Sequence, residues 1–119
     1  MINYQENLLP NKADLEQLKR VLRNSLAVIT VWEEEKLVGL ISVVGDRETI
    51  LYIQDILVHP EFQNQQIGTY LMNTMLENYQ SVRQKVLLTE EAEDVRHFYQ
   101  KFGFSSCDQG QVVAFYKAF

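Results

Sequence analysis

The sequence predicts an α+β fold, a mixed β-sheet flanked by helices, and three observations carry that reading. Apolar residues recur at helical spacing near the start of the chain and then change to strand-like runs from Leu26 onward. Two of those runs flank Glu33-Glu34-Glu35, a hairpin signal. A long apolar strand is then followed by a polar loop, a helix and a shorter apolar run, a βαβ unit whose two strands lie parallel. At 119 residues the chain is expected to form one domain spanning 1–119.

In order, residues 2–5 read as a short first strand and 11–23 as a helix. Leu15, Leu18, Val21 and Leu22 mark its apolar face, with Asn11 as N-cap. Residues 26–32 and 36–44 form the hairpin, and Gly45-Asp46 breaks the chain before the strand 49–58. That strand carries apolar residues on both faces, as a central strand covered on two sides does. A polar loop, 61–66, leads to a helix over 67–79, and Val86-Leu87-Leu88 reads as a short buried strand. Thr89 is expected to cap the next helix, with Glu90, Glu91, Glu93 and Asp94 at its positive end. Lys101 falls in its last turn and Gly103 just beyond, a common helix stop. Residues 104–107 and 111–117 alternate like a terminal hairpin around Asp108-Gln109-Gly110.

Eleven basic residues against sixteen acidic ones give a net charge of −5, and the basic residues are scattered. Nucleic-acid binding, which needs a run of phosphate-neutralising cations, is disfavoured. Cys107 is the single cysteine, which fits a reducing compartment. The N-terminus lacks the signature of a secretory signal, and no apolar run is long enough to span a bilayer. A soluble cytoplasmic protein without membrane partners is the expectation. His59 reads as a loop residue and His97 as a surface residue. Neither has partners at metal-ligand spacing, so no metal is expected. Cys107 reads as a small buried hydrophobe, and Trp32, Phe98, Phe102 and Phe104 as core aromatics.

The chemistry concentrates at the end of the long strand. There a buried strand gives way to a polar loop, and a helix opens at Gly68. The first amides of a helix lack intrahelical acceptors and the helix dipole favours an anion beside them. A pyrophosphate can be held there by backbone alone if a glycine lets it approach, although many strand–loop–helix units bind nothing.

The stretch Val58-x-Pro60-x-x-Gln63-x-x-x-Ile67-Gly68-x-x-Leu71 resembles the acetyl-CoA signature of the GNAT superfamily of N-acetyltransferases, and Phe98-Tyr99-x-x-x-Gly103-Phe104 resembles a second motif of the same superfamily. The resemblance covers residues 26–116. Where the family carries glycines in the loop this chain has Gln66 and Asn64. The family's frequent Asn or Ser ahead of the Phe-Tyr pair is Ala92, and no Lys or Arg lies in the loop.

The resemblance implies a GNAT-like sheet and acetyl-CoA as co-substrate. It implies that the backbone of Ile56, Leu57 and Val58 pairs with the pantetheine arm. The loop and helix start, Gln63, Asn64, Gln65, Gln66, Ile67, Gly68, Thr69 and Tyr70, would surround the pyrophosphate. Tyr99 would stand near the thioester sulfur as general acid; without the motif it reads as a half-buried core aromatic. One helix is expected before residue 26 where relatives usually carry two.

Acetyl transfer to an amine also needs a base. Strict alternation would place Asp55 on one strand face with Leu51, Ile53 and Leu57, a lone carboxylate with a raised pKa. It reads either as that base or as a structural carboxylate with a partner; Gln54 and Glu48 are lesser candidates. The functional reading is an N-acetyltransferase acting on a primary amine of a small molecule or an exposed amino group. The rival is a weakly active or inactive acyl-CoA-binding module. Acidic turns at Glu33, Glu34, Glu35, Asp46 and Glu48 are expected to attract cationic amines together. The apolar terminal segment, 111–119, suggests a homodimer, with a covered last strand as the alternative.

Overall fold

The structure, a computed structural model, describes residues 12–119, which fall into two compact units, 12–88 and Thr89–Phe119. The predicted strand at 2–5 and the N-cap Asn11 lie outside the described residues.

In the first unit, helix α1 (Lys12–Asn24) precedes strand β1 (Ala27–Glu33), β2 (Lys36–Gly45) and β3 (Ile50–Val58). A single 3-10 turn at Pro60–Phe62 leads to helix α2 (Ile67–Asn78) and strand β4 (Gln84–Leu87). The sheet runs β1-β2-β3-β4, antiparallel except for the parallel β3–β4 pair, so it is mixed as the sequence predicts. The last strand begins two residues before the predicted Val86, because Gln84 and Lys85 already pair with Ile50 and Leu51.

Turn chemistry sets the β2–β3 connection. Asp46 Oδ1 accepts the backbone N–H groups of Glu48, Thr49 and Ile50, and Thr49 donates its hydroxyl to Oδ2 at 2.5 Å. Those bonds, the Thr49 hydroxyl foremost, hold the Asp46 carboxyl far below the ordinary carboxylate range. Helix α2 covers one sheet face. Leu71, Met72 and Met75 are fully buried, as are Ile41, Val43, Leu51 and Val58 in the sheet. Each side chain of that size withdrawn from water contributes about 1.5–3 kcal/mol. No helix among the described residues is long and apolar enough to cross a membrane.

The second unit holds helix α3 (Glu93–Gln100), which stops as expected, with Gly103 in the left-handed region at φ 89°. Thr89 does not cap it: Ala92 stands at the N-cap without a side-chain bond, and Thr89 is hydrogen-bonded instead to the Tyr99 hydroxyl. Arg96 clamps the unit. Its guanidinium donates to Glu91 at 2.6–3.1 Å and to Asp108 at 3.0 and 3.3 Å. That pairing holds both carboxyls below their usual range, Asp108 at about 2 with help from the Ser106 hydroxyl.

The predicted terminal hairpin does not form. Residues 104–119 contain no strand, and a 3-10 turn occupies Cys107–Gln109. Asp108, the expected turn residue, is committed to Arg96 and Ser106, and two short strands without a further partner are marginal in water. Val112, Val113, Phe115, Tyr116 and Phe119 are exposed in consequence.

Candidate active site

The site is built at the C-terminal end of β3. Strand β2 pairs with β3 as far as Val58, opposite Gly39, but β4 pairs with it only from Ile50 to Ile53. Beyond Ile53 no described strand takes that second edge. The backbone of Ile56, Leu57 and Val58, expected to pair with an extended ligand, therefore lies on an edge that no described strand closes. Gln54 marks the change. Ser42 pairs with Asp55 and Val43 with Ile53, leaving Gln54 as the extra, exposed residue of a β-bulge.

After Val58 the chain is tightly organised. The backbone N–H of buried His59 donates to Val38 O at 2.8 Å, and its Nδ1 accepts from Glu61 N at 3.2 Å, capping the 3-10 turn. His59 is thus a buried cap, which the Pro60 after it concealed in the sequence. Gln63 Nε2 donates to Val58 O at 3.3 Å, tying the loop back to the strand end. Asn64 and Gln66 both adopt left-handed backbone, with φ of 70° and 66°. These are the two loop positions where the resemblance expects a glycine that this chain lacks, and both take up the left-handed backbone that glycine adopts most readily.

Gln66 stands at the N-cap of α2 and makes no side-chain cap bond. The first intrahelical bond is Tyr70 N to Gln66 O at 3.0 Å. The amides of Ile67, Gly68 and Thr69 come before it and have no intrahelical acceptor, so they suit an anion. Gly68 is buried against the unit, whereas Asn64, Gln65, Gln66 and Tyr70 are exposed.

One contributor went unread in the sequence. Gly39 lies under the first turn of α2, and a Cβ there would stand 2.7 Å from Ile67 Cγ2 and 3.2 Å from Leu71 Cδ1. The only sequence signal is a glycine inside a strand, which often marks close approach of another element.

Asp55 needs a correction. The bulge shifts the phase of β3, so Asp55 does not share a face with Leu51 and Ile53. Those residues, with Ile56 and Val58, are buried in register with Val43, Ile41 and Gly39 on the α2 side. Asp55 lies on the other face, opposite fully buried Ser42, whose hydroxyl donates to Oδ2 at 3.2 Å. It is half-buried and partnered, not a lone carboxylate. The acidic turns also separate. Glu33–Glu35 lie at the end of β2 nearest Val58, where Lys36 bridges to Glu61 at 3.3 Å, while Asp46 and Glu48 lie at its other end. Ten residues of strand span about 30 Å, beyond the ~8–10 Å screening length, so these acids form no common field.

Tyr99 belongs to the second unit. It is buried, with rings of Phe98 and Phe104 set edge-on at 5.1 and 6.2 Å. Burial pushes its phenol up to about 12, and the Thr89 hydrogen bond opposes that rise. The proton is therefore held throughout the neutral range. Three smaller expectations resolve here too. His97 is on the surface as expected, but Cys107 is exposed rather than buried. Trp32 is 55% exposed, with its indole N–H on Thr30 Oγ1 at 3.0 Å, not a core aromatic. Among the described residues no group of three or more His, Cys, Asp or Glu could hold a metal ion.

A mixed sheet whose inner strand loses one neighbour midway and leads into an uncapped helix start defines an α+β fold with a backbone surface suited to an extended, anionic ligand. A GNAT-family acetyltransferase of Streptococcus pneumoniae matches it with a TM-score of 0.81 and 33% identity, over 87% of this chain and 79% of that one. The family model for the acetyltransferase (GNAT) domain matches residues 24–106. The chain belongs to the GNAT acetyltransferase family. It is also similar to the uncharacterized N-acetyltransferase ycf52 of Pyropia yezoensis, 27% identical over 97 residues, 78% of this chain and 56% of that protein. The ycf52-like protein of Prochlorococcus marinus is 27% identical over 114 residues, 91% of this chain and 62% of that protein. The chain thus spans about three-fifths of the length of the curated relatives it matches.

Proposed function

We propose that the chain is an acetyl-CoA-dependent N-acetyltransferase that acetylates a primary amine of a small molecule or an exposed amino group, in a cytoplasmic setting. The observation that supports this best is the juxtaposition of β3's open edge with the uncapped start of α2. An amide-bearing arm can pair along Ile56–Val58, and a pyrophosphate can sit on the amides of Ile67–Thr69, where left-handed Asn64 and Gln66 shape the loop. The co-substrate supplies an activated acetyl group on a thiol leaving group.

The protein's own residues then have definable tasks. A phenol held at about 12 is a much weaker acid than an ordinary thiol near 8.5, so complete proton transfer to a thiolate is uphill by about 5 kcal/mol. Tyr99 is suited instead to donate a hydrogen bond to the departing sulfur, which stabilises charge as it develops. Asp55, oriented by the Ser42 hydroxyl, takes the base role, acting on the amine directly or through one water.

Release of free thiol from acetyl-CoA, followed with a panel of diamines, amino sugars and lysine peptides, tests the reading. Amine-dependent release lost in Tyr99→Phe supports it. CoA binding without turnover on any amine would favour a binding module instead, a reading to which the side chains at positions 64 and 66 lend weight.

A further inference from the structure

We infer that Gly39 is a positioning residue for the co-substrate: it seats the first turn of α2 on the sheet and so fixes where the Ile67–Thr69 amides point. The inference rests on the proposed function, since it concerns how that site is assembled. Gly39 lies inside the sheet, paired with Val31 of β1 and Val58 of β3. A glycine interior to a strand weakens it, so a glycine here needs a reason. Left-handed backbone is not the reason, because only Gly45 and Gly103 have positive φ among the described glycines.

Space is the reason. A Cβ at position 39 would come within 2.7 Å of Ile67 Cγ2, and Cγ2 is fixed to a branched, stiff Cβ at the helix's first residue. The flexible Leu71 Cδ1, at 3.2 Å, could give way, whereas Ile67 can recede only by lifting the start of the helix. Ordinary contact distance requires a retreat of about 0.7 Å. Elsewhere on its buried face α2 presents Leu71, Met72 and Met75, and the clearance sits at the one turn that carries the unpaired amides. It also sits opposite Val58, the last residue of the open strand edge. A single missing methyl therefore sets the distance between the two backbone elements that the ligand must touch together. Sub-ångström misplacement of donors weakens hydrogen bonds and cannot be recovered by side-chain motion.

The test titrates CoA calorimetrically into wild type, Gly39→Ala, Ile67→Ala and the double variant, with amide spectra of each protein free of ligand. The expected result is that Gly39→Ala binds CoA about tenfold more weakly, ~1.4 kcal/mol. Its Ile67, Gly68 and Thr69 amide resonances should be displaced, and the double variant should return to within about threefold of Ile67→Ala. Should Gly39→Ala alone not fold, the double variant carries the test, since the added methyl then meets no γ carbon. Wild-type affinity in Gly39→Ala with only a lowered melting temperature would make Gly39 a packing residue and overturn the inference alone. So would an equal loss in Gly39→Ala and the double variant. No CoA binding by wild type would overturn the functional reading and the inference together.

Discussion

Replacing Gln66 by glycine separates the loop's strain from its chemistry. Gln66 opens α2 at φ 66° and ψ 15°, a left-handed conformation that costs a side chain about 1–2 kcal/mol and glycine almost nothing. Against that relief, glycine gives the unfolded chain extra freedom of about 0.5–1 kcal/mol. The side chain makes no cap bond, so no hydrogen bond is lost. The balance is a gain of about 0.5–1 kcal/mol, or about 2–5 °C in melting temperature for a chain of this size. Removal of an exposed side chain beside the amides should also tighten CoA by about one hydrogen bond, ~1 kcal/mol or fivefold. Thermal melting by circular dichroism and CoA calorimetry read the two effects. Gln66→Ala divides them, because it clears the approach yet keeps the backbone cost: affinity should rise while stability does not. A melting temperature unchanged or lowered in Gln66→Gly, with affinity also unchanged or weaker, would refute both the strain and the phosphate placement.

Other outcomes follow from the same structure. Tyr99→Phe should leave CoA affinity within about twofold and lower turnover about 10²-fold, measured by thiol release; equal turnover would return Tyr99 to a purely packing role. Because the folded phenol is raised from 10.0 to about 12, the unfolded chain ionises first. Stability present below pH 10 is therefore lost between about pH 10 and 12, by about 1–2 kcal/mol after screening, and Tyr99→Phe should flatten that limb in urea titrations. At the acid end the sign reverses. Asp108, held at about 2 by Arg96 and Ser106, contributes stability above about pH 4 that fades as pH falls toward 2, and Arg96→Met should weaken that dependence, leaving the part due to Ser106. Asp55→Asn should lower turnover by thiol release while leaving CoA affinity unchanged; unaltered turnover would assign the base elsewhere. Finally, the exposed apolar segment from Val112 to Phe119 predicts a dimer by light scattering that becomes monomeric when the chain is cut after Gly110; a monomeric full-length protein would remove that expectation.

The sequence and the structure agree where the signal is local and repetitive. The two strand-like runs of β1 and β2, the charged turn between them, and the strand–loop–helix–strand order all reappear, including the parallel β3–β4 pair. The loop is legible for another reason: Gln66 and Asn64 occupy glycine positions of the motif, and the backbone there is left-handed. The misses share a cause, which is that they depend on partners distant in sequence. The Gln54 bulge is a property of two strands in register, so strict alternation put Asp55 on the wrong face. Thr89 carries a good cap residue's chemistry, but Tyr99 claims its side chain. The terminal residues alternate like strands, yet alternation states only what a strand would bury, not whether a neighbour exists to pair with it. Gly39's clearance becomes visible only once α2 is laid across β2.

The central claim is that one backbone surface, the open edge of β3 together with the first turn of α2, holds acetyl-CoA. Titration of isotope-labelled protein with CoA, read residue by residue through the backbone amides, tests it directly. Saturable shifts are expected at Ile67, Gly68 and Thr69 and along Ile56–Val58; when 3′,5′-ADP displaces CoA, the Ile56–Val58 shifts should be lost while the helix amides stay shifted by the competitor's phosphate. Binding that leaves those amides unmoved and shifts another surface, or no binding at millimolar CoA, would contradict it.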